Sequence, residues 1–525
     1  MSTVYTNGRI YTADPHAPFA EAIVIDGKRV AFVGGATEAT AIAGPDATAV
    51  DLAGRMLMPG IHDSHIHLLF GGLKFLYEDR VSVGAGGEQI VQELLELHSP
   101  HASSTHSHDE FPWIVGGDVS PPADGTERLT RKHLDDAFPD TPVYLYDYSI
   151  HHGVANTKAL DAAGITEDVE DMPGGMFLRD EERRLTGELI EKAGWSVRQA
   201  IPPRTQEVYR NAMKWAIDNC LKYGITSVQE ASASRPELEA LRALEQDGEL
   251  KLRVDAHLVW RNQGFGMGTD EELDALLDDA PAWASEHVDT NFVKVWLDGA
   301  PMPPVSTVAG LREDGSVDTD WLLVQEDELL DMLRKFDAAG RTVKIHCAAE
   351  GATRTALDAI ERLRAENPDG TMHELAHAAF VTDSDMVRLA PLNVTAEMSP
   401  AVWHLDAFGM AHKFAFRNML DHGVRMVLGS DWINTPDPNL FPAIQGTVQH
   451  ATSPIDLHSA LAAVTRVPAE SRGKLGDRGT LAAGKVADYL VLDRDLFAVP
   501  VDEIGATVVL QTYIDGELVH AHDGG

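Results

Sequence analysis

Eight short apolar segments, spaced along the chain and separated by amphipathic stretches, constrain the fold more than any other feature. They are IHDSHIHL (61–68), ITSVQEAS (225–232), LRVDAHLV (252–259), FVKVWLDG (292–299), TVKIHCAA (342–349), ELAHAAFV (374–381), NVTAEMSP (393–400) and RMVLGSD (425–431). Strand-like segments alternating with helical patterns such as EDELLDMLRKFDAAG and ATRTALDAIERLRAE are the signature of a parallel sheet with helical crossovers. Eight of them predict an α/β chain built on a closed (β/α)8 (TIM) barrel over residues 58–69 and 205–475. The interval 70–204 is longer than one crossover helix and holds a strand-like VYLYDYS and a Gly/Pro-rich DMPGGMFL. It reads as an insertion after the first barrel strand, over the barrel mouth, where it would act as a lid or specificity wall. Residues 1–57 and 476–525 both read as short strands with Asn-Gly and Asp-Gly turns. Neither end has enough strands to bury a face, so the two together are expected to form one β-sandwich.

Composition narrows the partners. The 525 residues are 44% hydrophobic and 24% charged, with no apolar run long enough to span a bilayer. No basic segment followed by an apolar core opens the chain, so the cytoplasm is the expected location. Acidic residues outnumber basic ones 82 to 43, a formal charge of −39. A nucleic acid or an anionic membrane would need a basic patch, which this sequence lacks, so the expected partner is a small-molecule substrate. The two cysteines, Cys220 and Cys347, are too few for a disulfide framework. Glycines near Gly34 and Gly44 lack the strand, spacing and helix of a nucleotide loop.

In a (β/α)8 barrel chemistry gathers at the C-terminal ends of the strands. His65 and His67, two apart on one strand, project from the same face and can hold one metal ion. Lys294 lies toward the end of strand four, His346 ends strand five, His377 falls within strand six and Asp431 ends strand eight. Each has a second reading. His346 is equally a core histidine, Lys294 a lysine reaching outward along apolar surface, Asp431 a helix cap, and Asp63 a turn residue or a support for a histidine. Joint placement on five strands favours a ligand set. The histidine-rich HSPHASSTHSHDE (98–110) shows no strand period and reads as a solvated loop.

The motifs PGIHDSHIH, GSDW and GTLAAGKVADYLVLD resemble those of the amidohydrolase superfamily. HHGVANTKALDAAGI, MPGGMFLRDEERRLTGEL and KVWLDGA are similar to the subgroup that includes N-substituted formamide deformylases. The resemblance implies that His65, His67 and Asp431 bind one divalent metal ion and His346 and His377 a second. Lys294, as a carbamate, would bridge them; zinc suits these ligands best. It further implies a metal-activated hydroxide with Asp431 as general base, attacking the C–N bond of an amide or N-substituted amide. His151, Asp298 and Trp432 would face the substrate, although Trp432 reads equally as ordinary packing. Ala376 stands where the resemblance implies a glutamate, which puts one supporting contact in doubt. A homodimer is expected from the resemblance alone. The same centre can also act on esters, lactones or phosphoesters, deaminate rings or isomerise. A non-catalytic assembly protein would have lost ligands, and this chain keeps all six.

Overall fold

The computed structural model describes residues 2–99, 111–122, 125–261, 267–400 and 409–522. His101, His106 and His108 of the histidine-rich segment lie outside these residues. His98 is within them and pairs its Nε2 with Asp79 at 2.8 Å.

Eight parallel strands form the central sheet: β1 (Ile61–Ile66), β2 (Ile225–Ala233), β3 (Arg253–Val259), β4 (Val288–Trp296), β5 (Thr342–His346), β6 (His373–Ala376), β7 (Val394–Met398) and β8 (Arg425–Leu428). Each pairs with its neighbour in chain order. The sheet curls until β8 meets β1. There the Asp431 N–H donates to the His65 carbonyl at 2.8 Å and the His67 N–H to the Trp432 carbonyl at 3.1 Å. Asp63 staples the same seam. Its carboxylate accepts the Ser430 N–H at 2.9 Å, the Ser430 hydroxyl at 2.6 Å and the His65 N–H at 3.1 Å.

The period of two along each strand sorts the residues by face. Val293, Val295, Val343, Ile345, Leu375 and Ala396 belong to one continuous apolar core that includes the surrounding helices. Lys344, Glu374 and Glu397, out of phase with these, are fully buried polar residues. Several strands are shorter than their apolar runs suggest. His67, His377 and Asp431 all fall just beyond strand ends, and the last two adopt left-handed backbone angles, φ 59° and 48°. His65, Lys294 and His346 reach the mouth from within their strands, whereas His67, His377 and Asp431 reach it from the segments that follow.

The two chain ends meet in a six-stranded sheet. Its order is Glu517–Ala521, Val509–Ile514, Tyr489–Leu492, Met56–Pro59, Arg9–Tyr11 and Phe19–Ala20. A four-stranded sheet of Arg29–Gly34, Ala22–Asp26, Ser2–Thr6 and Thr48–Asp51 packs against it. Tyr5, Ile23, Leu57 and Tyr489 lie in their shared core, where the Tyr5 and Tyr489 hydroxyls hydrogen-bond at 2.8 Å.

Residues between α1 (Leu68–Leu76) and α2 (Gln206–Lys222) fold into a second six-stranded sheet, which includes Ile114–Val119, Val143–Asp147, His152–Ala155 and Leu185–Glu191. Lys74 of α1 ties this sheet to the barrel. Its buried ammonium pairs with Asp118 at 2.6 Å and donates to the Ile433 carbonyl, two residues after Asp431, at 2.9 Å. Removing one partner of a buried pair leaves an uncompensated charge. Lys74→Ala is therefore expected to cost about 3–5 kcal/mol, read as a lower midpoint in urea denaturation; a midpoint unchanged from wild type would show that this pair does not anchor the inserted sheet.

Candidate metal centre

At the C-terminal mouth of the barrel His65, His67, Lys294, His346, His377 and Asp431 line one cavity. The His65 and His377 rings lie 4.7 Å apart between centroids, as do those of His346 and His377, while His65 and His67 are separated by 5.4 Å. Asp431 Oδ1 is 3.6 Å from His65 Nε2 and 3.5 Å from His67 Nε2. Lys294 Nζ lies 3.4 Å from His65 Nε2 and 4.9 Å from the centre of the Trp296 ring.

Hydrogen bonds on the far side of each ring fix which nitrogen faces the cavity. His65 Nδ1–H donates to Glu397 at 2.9 Å and His67 Nδ1–H to Ser232 at 2.8 Å. His377 Nδ1 meets Ser399 Oγ at 3.3 Å, and that hydroxyl donates to Glu397 at 3.0 Å. His346 spends Nε2–H on the Gly299 carbonyl at 3.0 Å, which leaves Nδ1 with its lone pair. With their Nδ1 atoms so engaged, His65 and His67 turn Nε2 toward the same oxygen of the Asp431 carboxylate, at 3.6 and 3.5 Å. Acceptors alone would repel one another, and a cation among them turns the repulsion into coordination. The ligand-capable atoms of His65, His67 and Asp431 all lie within 4.8 Å of one another, and so do those of His65, His377 and Glu397. The donor set fits a divalent metal.

Electrostatics keep these groups in ligand form. Burial holds His65 and His346 well below the usual histidine range, with Lys294 adding to the effect on His65 and His377 to that on His346. Burial likewise lowers His67, and it pushes His377 down to about 3. Burial alone would raise Asp431; His377 and His67 outweigh it and hold the carboxyl below its ordinary value. Lys294 is pushed down to about 7 by burial and then by the charge of Lys344. Neutral imidazoles, an ionised carboxylate and a lysine that sheds its proton are the forms a metal requires.

Of the three residues expected to face the substrate, His151 lines the cavity, its Nδ1–H held on Glu191 at 2.9 Å. Asp298 does not: its carboxylate accepts the Ala348 N–H at 2.8 Å and the Ala309 N–H at 3.2 Å, bracing two loops from within. Trp432 does not line it either, and takes the packing role of its second reading. Its ring is fully buried, stacked on Phe75 at 5.6 Å and Trp215 at 6.0 Å, on the helix side of the seam. Gly71 of α1 lies beneath it, where a Cβ would come within 2.6 Å of the ring.

Glu397, which supports both His65 and His377, was not picked out from the sequence. The one available signal is the polar Thr395, Glu397 and Ser399 at alternate positions of an otherwise apolar segment. This carboxylate, raised to about 8 by burial, reaches His65 from the strand next to Ala376.

A parallel barrel carrying such a donor set at its mouth defines a class of enzymes, and residues 48–520 match the amidohydrolase family, to which the chain belongs. The N-substituted formamide deformylase of Arthrobacter pascens is 26% identical over 546 residues, covering 99% of this chain and 98% of that protein. The Bacillus subtilis protein YtcJ is 26% identical over 550 residues, 99% of each chain. Among solved structures, uncharacterized metal-dependent hydrolases from Pyrococcus horikoshii and Pyrococcus furiosus share the fold, with TM-scores of 0.71 and 0.68. Identities are 23% and 24%; the first alignment covers 96% of this chain and 100% of that one, the second 94% and 99%.

Supporting carboxylates of this kind set ligand orientation and basicity. Glu397→Gln is expected to weaken metal affinity about 10–100-fold in a chelator-competition titration. Affinity equal to that of the wild type would remove Glu397 from the site.

Proposed function

We propose that this protein hydrolyses a carbon–nitrogen bond in an N-substituted amide, with two divalent cations, zinc best matching the donors. His65, His67 and Asp431 would hold one ion and His346 and His377 the other, with Lys294 between them. The observation that carries the reading is the pair of imidazole nitrogens turned on one carboxylate oxygen. When bound, such ions supply a Lewis acid for a carbonyl oxygen and acidify water. Lys294, pushed down to about 7 by burial and the charge of Lys344, has near neutral pH a share of the free amine that reaction with carbon dioxide to a carbamate needs, and a carbamate offers two anionic oxygens where an ammonium offers none.

The chain's own groups supply the remainder. Asp431, kept ionised, accepts a proton from the attacking water and returns it to the departing nitrogen. His151, fixed on Glu191 and lining the same cavity as Asp431, would orient the carbonyl group. The space left above the ligands is about 60 Å³, room for a small acyl group such as formyl. Among the described residues no arginine lines it, so an uncharged group at the reacting end is favoured. N-substituted formamides meet both conditions.

Zinc-loaded protein is to be assayed against paired N-alkyl and N-aryl formamides and acetamides, the matching formate esters, and lactones. Formamides are expected to turn over fastest; turnover confined to esters or lactones would overturn the bond assignment. Asp431→Ala is expected to lose about 10³-fold or more in kcat while its circular dichroism is unchanged. Near-normal turnover in that variant would sink the mechanism.

A further inference from the structure

Beside the metal centre lies a larger cavity of about 720 Å³, bounded by the inserted sheet and by the helices that follow β1, β2 and β3. It shares no lining residue with the catalytic cavity. Phe70 stands between the two: it lines the larger cavity, and its ring meets that of His67 nearly at right angles, 6.3 Å between centroids.

The walls combine aromatic surface with three arginines and an indole N–H. The Arg198 guanidinium lies 5.1 Å from the Tyr146 ring and 5.8 Å from those of Tyr144 and Phe70. Arg204 and Arg235 line the same space. None of these three forms an ion pair among the described residues, although acidic residues outnumber basic ones almost two to one and Arg253, Arg354 and Arg388 each find carboxylates. The Trp195 indole N–H at the same cavity is buried without an acceptor.

Three carboxylates also line the cavity, and Glu78 lies near enough to Arg198 and Arg204 for their charges to interact. Glu78 accepts the Tyr146 hydroxyl at 2.6 Å, Glu239 the Gln206 amide at 2.7 Å and Glu272 the Thr269 N–H at 2.9 Å. What remains is a cage of aromatic faces with a buried indole N–H that lacks an acceptor and a guanidinium that makes no direct ion pair among the described residues. Such a guanidinium can take a planar anion through two parallel hydrogen bonds. The rings accept a flat apolar body by offset or edge contacts.

We propose that this cavity is a binding site, separate from the metal centre, for a small aromatic carboxylate. Its ring lies among Phe70, Tyr144 and Tyr146, and its carboxylate is held by Arg198, with the Trp195 N–H and Arg235 as further donors.

The probe is 4-fluorobenzoate, titrated into the full chain and followed by fluorine NMR, with neutral 4-fluorobenzamide as its control. Saturable binding is expected, about tenfold weaker for the benzamide and in Arg198→Gln. Arg235→Gln, at an exposed position, is expected to weaken it by about threefold. Asp431→Ala and metal removal are expected to leave it unchanged, so the result stands apart from the reading of the catalytic centre. Absence of saturation by about 10 mM, equal affinity for acid and amide, or loss of binding in Asp431→Ala would each overturn the proposal.

Discussion

A parallel barrel exists only if its last strand reaches its first, and in this protein that meeting point and the metal-ligand set are the same few residues. The backbone of His65 accepts from Asp431 and that of His67 donates to Trp432, so the hydrogen bonds that close the sheet also fix the separation of three candidate ligands. Asp63 strengthens the coincidence by holding Ser430 and His65 with one carboxylate. Rigid backbone bonds, rather than flexible side chains, thus set the geometry of the site, which is the arrangement that precise positioning calls for. The price is strain, visible in the left-handed backbones of His377 and Asp431.

Beneath the mouth the barrel interior is polar to an unusual depth. Lys344 donates to the Ser64 carbonyl and to Gln229, and lies 3.5 Å from Glu374. Such groups are costly to bury unless partnered. Here their charge acts upward on the ligands, since Lys344 helps to depress the proton affinity of Lys294. The core that stabilises the barrel lies outside the sheet, and the core that tunes the chemistry lies inside it. Period-two alternation in each strand serves both at once.

That alternation is why the barrel could be read from sequence. The eight apolar runs each overlap a β-strand, and the histidines near their ends collect at one rim because parallel strands share a direction. What could not be read depends on contacts between distant segments. Trp432 follows a ligand, but which side of the wall it occupies is decided by the seam and by the bare helix surface at Gly71. Asp298 looked like a substrate contact; its carboxylate is taken by amides from loops ending at Ala309 and Ala348. Glu397 announced itself only as a carboxylate in an apolar strand, with nothing local to name His65 as its partner. The expected lid is a folded sheet of its own, since six short strands spread over more than a hundred residues give no compact pattern.

The pairing of Met56–Pro59 with Tyr489–Leu492 bears on how the molecule is made. The first of these strands runs into β1 through Gly60 alone, so the base of the strand that carries His65 is completed by a segment far later in the chain. The opposite edge of β1 waits for β8, also late in the chain. A nascent or truncated chain therefore holds the histidines but not the site, because such distant partners pair only after a large loop has closed. Assembly of the donor set therefore waits on segments far apart in the chain, and a chain cut between them cannot present it.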